Sequence, residues 1–189
     1  MHGFAKRGLA LAAATSGLVL ATAGIAAADT TASGSTARSG GLISGNAANV
    51  AASVPVNACG NQALLIALKD DDAPQMCTIG DGSGAVAKGH SFHSGGALSG
   101  NVVDVAASVP VNACGNQVGV VAVRDFTGRS HCRIDGGGAR ATGSSYHSGG
   151  LLSGNVVNAA VSVPVNACGN QVDLVGVANR VAGSKCSID

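Results

Sequence analysis

The decapeptide SVPVNACGNQ is written three times without change, at residues 53–62, 108–117 and 162–171. The tripeptide SGN keeps the same beat at 44–46, 99–101 and 153–155. A catalytic site is built once per chain, so an exact threefold repeat points to a module that acts through number. Each unit spans about 38 residues, below the size at which a chain usually folds without a staple. Six cysteines supply one. Cys59 and Cys77, Cys114 and Cys132, and Cys168 and Cys186 stand at one constant separation. Six cysteines can pair in about fifteen ways, and pairing within each unit is the economical choice. A loop of that size is worth about 3 kcal/mol. The spacing lacks the close C-x₂-C form of a zinc site, so no metal is expected.

Residues 1–28 read as a secretory signal peptide, a helical leader. A basic start at Lys6 and Arg7 precedes an Ala-rich apolar run, and Ala26-Ala27-Ala28 before Asp29 forms a small-residue cleavage pattern. A retained membrane helix is the competing reading. Removing the leader takes the formal charge from +1 to −1 by loss of Lys6 and Arg7. Such a chain lacks the basic stripe that nucleic acid requires, and it repels its own copies weakly. No later stretch is long and apolar enough to anchor the chain across a bilayer.

The remaining segments divide as linker 29–41, module 42–79, linker 80–96, module 97–134, linker 135–150 and module 151–189. The linkers are rich in glycine and serine and read as flexible. Within a module the pattern is strand-like: Val103, Val105, Ala107, Val109 and Val111 alternate with Asp104, Ser108, Pro110 and Asn112. This places the aliphatic residues on one face, with the polar face expected in water. A helix over 101–109 is the alternative for an Ala-containing stretch. After each CGNQ comes a denser apolar run, expected to close a disulfide-stapled hairpin. These runs supply the candidate self-assembly residues: Leu64, Leu65 and Ile66; Val118, Val120, Val121 and Val123; and Val172, Leu174, Val175 and Val177. Short uncharged aliphatic windows without proline favour cross-β association. The expected fold class is therefore all-β: three small stapled β-hairpin repeats on flexible linkers.

Catalytic chemistry is missing. The sequence holds no G-x-S-x-G, no H-E-x-x-H and no phosphate-binding Gly-Lys-Ser/Thr loop. His90, His93, His131 and His147 do not recur in all three units. Asp70, Asp71 and Asp72 occur only in the first unit and read as a polar turn. No enzyme activity and no cofactor are expected.

The stretches GNVVDVAASVPVNACGNQVGVVAV and GNVVNAAVSVPVNACGNQVDLVGVANRVAGSKC resemble the chaplins, secreted surface proteins of filamentous actinobacteria. The resemblance covers all three repeats. It implies amyloid-forming modules that assemble at air–water interfaces, lower surface tension and coat aerial hyphae and spores. It also implies one disulfide per module. The implied partners are other copies, other chaplins and the cell wall, held non-covalently because no sortase motif is present. Asp70–Asp72 and Pro74 should make the first unit the weakest assembler. The rival function is a soluble repeat protein that binds cell-wall polysaccharide, although Phe126 is the only aromatic residue in the repeated cores.

Overall fold

The computed structural model describes residues 25–26, 29–68, 74–80, 84–124 and 126–189. Its elements are strands. Ile25–Ala26 forms β1. The first unit contributes Thr30–Ala37 (β2), Ala47–Ser53 (β3), Val56–Cys59 (β4), Gln62–Leu68 (β5) and Gln75–Ile79 (β6). The second contributes Ala85–Phe92 (β7), Val102–Ser108 (β8), Val111–Cys114 (β9), Gln117–Val123 (β10), Phe126–Thr127 (β11) and Ser130–Ile134 (β12). The third contributes Ala139–Tyr146 (β13), Val156–Ser162 (β14), Val165–Cys168 (β15), Gln171–Val177 (β16), Arg180–Val181 (β17) and Lys185–Ile188 (β18).

The all-β class, the three repeats and one disulfide in each are all present. The hairpins are not. Every strand pairs in parallel with its counterpart in the next unit, giving the sheet orders β13-β7-β2, β14-β8-β3, β15-β9-β4, β16-β10-β5 and β1-β6-β12-β18. Each unit is one rung of a parallel stack, and the second unit lies between the other two. Pairing is in register: Ala47, Val102 and Val156 stand in line, as do Ser53, Ser108 and Ser162. Like residues one above another allow side chains to bond along the stack, which an antiparallel hairpin within one unit would forgo. The stretch 101–109, for which a helix was the alternative, contains strand β8. The expected leader helix falls on residues outside those described, apart from β1 near its end.

The segments expected to be flexible linkers are strands too. β2, β7 and β13 form one continuous sheet, paired from Ala85↔Ala139 to Phe92↔Tyr146 on one side and from Thr30↔Ala85 on the other. Their inward residues are small, notably Ala85, Ala87, Gly89 and Ser91. Small residues let this sheet approach the β3-β8-β14 sheet closely. The contact is a seam of Ala51, Ala85, Ala87 and Ala106 with Ala32, Ala139 and Ala141. A Cβ on Gly89 would meet Val102 Cγ1 at 2.5 Å and Asp104 Oδ1 at 2.6 Å. Glycine here makes room for the opposite sheet, a use that composition alone does not separate from flexibility.

The β4-β9-β15 and β6-β12-β18 sheets face each other across the disulfides. Cα atoms of the bridged cysteines lie 6.3, 6.3 and 6.5 Å apart in the three units. Cys77, Cys114 and Cys132 are buried together, and Ile79 and Ile134 form a separate buried pair. Among the described residues, no helix is long and apolar enough to cross a membrane.

Candidate assembly surface

The alternation in the first two units is turned opposite to expectation. In β3 the inward residues are Ala47, Asn49, Ala51 and Ser53, and the outward ones are Ala48, Val50 and Ala52. In the second unit Val102, Asp104, Ala106 and Ser108 are buried, followed by Pro110 and Asn112, while Val103 is exposed. The polar face is therefore interior and the valines form the outer wall. The physical reason is the in-register stack, in which an inward polar side chain finds hydrogen bonds and pays little for burial.

Those bonds run as ladders. Asn112 Nδ2 donates to Cys77 O at 3.2 Å and to Arg133 O at 3.3 Å. Asn57 donates to Thr78 O at 3.2 Å, and Asn166 to Ser187 O at 3.1 Å. At one corner the backbone N and Nδ2 of Asn101 donate to Asn46 Oδ1 at 2.9 and 3.0 Å. Asn155 repeats both bonds to Asn101 Oδ1 at 3.0 and 2.8 Å. A second ladder joins Asn61, Asn116 and Asn170 in the same sense. These asparagines are the third letter of SGN and the asparagines of PVNACGN, so the repeated motif signalled them. Their ladder role needed the stack to be known.

The outer wall is apolar. The aliphatic residues named from sequence all lie in the β5-β10-β16 sheet, where Val121 pairs with Ile66 and Val175, and Val123 with Val177. Leu65 is 79% exposed and Leu174 80% exposed, and Ile66, Val118, Val120, Val172, Val175 and Val177 are also exposed. Leu64, Val121 and Val123 are half-buried. A second apolar face is formed by Val50, Val103, Val157 and Val161 on the outside of the β3-β8-β14 sheet. Phe92 stacks on Tyr146 with ring centroids 5.6 Å apart, and His93 on His147 at 4.8 Å. His90 Nδ1 lies 2.7 Å from Ser144 Oγ. These histidines therefore join ladders between units. Asp70–Asp72 falls outside the described residues, and Pro74 beside it is exposed.

Exposed aliphatic residues of this number give contiguous apolar patches on the outside of both sheets. The arrangement offers an apolar wall, a polar interior, corner ladders of asparagine and two open ends.

The ChpA-C family model matches three times in succession, over residues 23–78, 80–134 and 133–187. Each match takes in one stapled module together with the β2, β7 or β13 segment that precedes it. The chain is 35% identical over 130 residues to Chaplin-B of Streptomyces coelicolor, covering 56% of this chain and 55% of that protein. It is 34% identical over 139 residues to Chaplin-A of the same organism, covering 57% and 55%. It is 47% identical over 72 residues to Chaplin-H, covering 38% of this chain and 94% of that protein. The chain thus spans about half the length of Chaplin-A and Chaplin-B. No solved structure matches. Three consecutive family matches over a threefold stapled repeat make this chain a member of the chaplin family, with three modules.

Proposed function

We propose that this chain is a secreted structural protein that assembles into amyloid-like fibrils at the air–water interface, lowers surface tension and contributes a hydrophobic coat to the cell surface. The carrying observation is the inverted alternation, with Asn49, Asn57 and Asn112 buried inside and exposed valines and leucines outside. A body with an apolar wall gains free energy by leaving water, at about 25 cal/mol per Å² of apolar surface. A few hundred Å² per unit then contributes several kcal/mol. The residues from Leu64 to Val177 named above are the wall that meets air or another sheet. Export through a leader at residues 1–28, non-covalent attachment to the cell wall and mixing with other chaplins belong to the same reading. No catalytic role is assigned.

The test is thioflavin-T fluorescence and surface tension on the oxidised chain, quiescent and then agitated with air. Dye binding and a fall in surface tension that both require the interface support the reading. A monomer unchanged by agitation overturns it and leaves polysaccharide binding to be tried.

A further inference from the structure

The stack has two different ends, and we infer that they fit each other: the third-unit end of one chain docks on the first-unit end of a second copy, head to tail and in register. The inference rests on the assembling role proposed above and adds its direction and its residues.

In parallel strands the N–H and C=O of one residue point to the same side, and successive residues alternate. Val102 N donates to Asn155 O at 2.8 Å, and Ala47 N to Asn101 O at 2.8 Å, so these amides point toward the third unit. Val109 N donates to Ser53 O and Val163 N to Ser108 O, both at 2.9 Å, so these point toward the first. By that alternation the amides of Val156, Asn158, Ala160 and Ser162 face outward from β14, an edge strand. Those of Ala48, Val50 and Ala52 face outward from β3, the opposite edge. The two edges offer the donors and carbonyls that already bond at both internal junctions.

The asparagine ladders add polarity. Each later asparagine gives its N and Nδ2 to the Oδ1 of the one before. Asn155 and Asn170 thus present Oδ1 at the third-unit end, where the backbone N and Nδ2 of Asn46 and Asn61 in a second copy would donate. Two third-unit ends brought together would face acceptor with acceptor. The contact is therefore heterologous, the kind that propagates as an open filament. One obstruction stands at the first-unit end: β1 covers the outer edge of β6, with Ile25↔Thr78 and Ala26↔Ile79. Cleavage after Ala28 would take it away.

The experiment uses two proline variants of the exported chain. Ala160→Pro removes an outward amide at the third-unit end, and Val50→Pro one at the first-unit end. Neither removes a bond within the chain. Sedimentation velocity should find each variant monomeric alone and a doubling of mass when the two are mixed, because each keeps the end its partner lacks. Ser162→Pro with Ala52→Pro repeats the design at neighbouring amides, and circular dichroism verifies that each variant keeps its β signal. A variant that dimerises by itself overturns the inference, because like ends then pair. So does a mixture that stays monomeric while the unaltered chain assembles, which leaves the film-forming role intact. Failure of the unaltered chain to assemble at all removes both.

Discussion

Asp104 is 0% exposed, at the centre of the middle unit. Its Oδ1 accepts from Asn49 Nδ2 at 2.7 Å, whereas its Oδ2 is buried with no partner. The neighbours in register are Asn49 and Asn158, so a carboxylate interrupts a ladder of amides. Asp104→Asn should complete that ladder. The amide oxygen keeps the bond from Asn49, and the new Nδ2 takes the place of the orphaned oxygen. A Cβ built on Gly143 would sit 2.6 Å from that oxygen and 2.8 Å from Asn158 Oδ1, so an acceptor is close by. Relieving one buried, unpaired charged oxygen gains about 2–3 kcal/mol. Exchanging a charge-assisted bond for a neutral one returns about 1 kcal/mol. The net is a stabilisation of about 1–2 kcal/mol, or ~2–8 °C in Tm for a chain of this length. Urea unfolding of the oxidised chain at neutral pH, followed by far-UV circular dichroism, should show a higher midpoint with an unchanged slope. A midpoint lower by 1 kcal/mol or more would mean that the carboxylate is satisfied in the folded chain, and would refute the ladder argument.

Replacing Cys114 and Cys132 together by serine should lower stability by about 3 kcal/mol through the released loop, read as a fall in urea midpoint; no fall would show that stacking alone fixes the module. Gly96 has φ +147°, and a Cβ there would lie 1.7 Å from Gly41 O. Gly96→Ala should therefore cost at least about 2 kcal/mol and split the first unit from the second, seen as a lower thermal midpoint. Leu65→Lys with Leu174→Lys places charge on the outer face of the β5-β10-β16 sheet. It should leave the circular dichroism unchanged and abolish the fall in surface tension, and an unchanged tension would assign the interface to another face.

The threefold organisation, the strand period and the disulfide partners were all legible in the sequence because each is a local signal. Cys59 and Cys77 announce each other by a separation that recurs twice. Which strands pair was not legible, because Val102–Ser108 carries the same period of two whether it pairs with its neighbour in sequence or with Ala47–Ser53 in another unit. The direction of the alternation is hidden in the sequence for a related reason. Burying Asn49, Ser53 and Asn57 is costly in an isolated hairpin and cheap in a ladder, so the answer depended on the stack. AVAKGHSF and ARATGSSY looked like linkers because glycine and serine are poor strand formers. In β7 and β13 those residues face an opposite sheet too close for larger side chains.

Stacking in register accounts for where the three units agree and where they differ. Several inward positions are identical, as Ala51, Ala106 and Ala160, as Ser53, Ser108 and Ser162, and as Asn57, Asn112 and Asn166, whereas Asp104 stands between Asn49 and Asn158 and Val102 between Ala47 and Val156. Outward positions are looser: Ala48 stands beside Val103 and Val157, and Val50 beside Val105 and Ala159. The inward asparagines donate to carbonyls of the opposite sheet, Asn112 to Cys77 O of the first unit and Arg133 O of its own, so a change there leaves a carbonyl unmet, while an outward aliphatic needs only to be apolar. The repeat interval obeys the same rule. Ladder partners are 55 residues apart between the first two units and 54 between the second and third. Ile134 is still aligned with Ile79, whereas Ala139 is aligned with Ala85, so the missing residue falls in the turn between β12 and β13. There it shifts no strand. The decapeptide carries in one stretch the inward asparagine, the bridging cysteine and the corner asparagine that bonds to its counterpart, so its repetition offers each unit the same partners in the next.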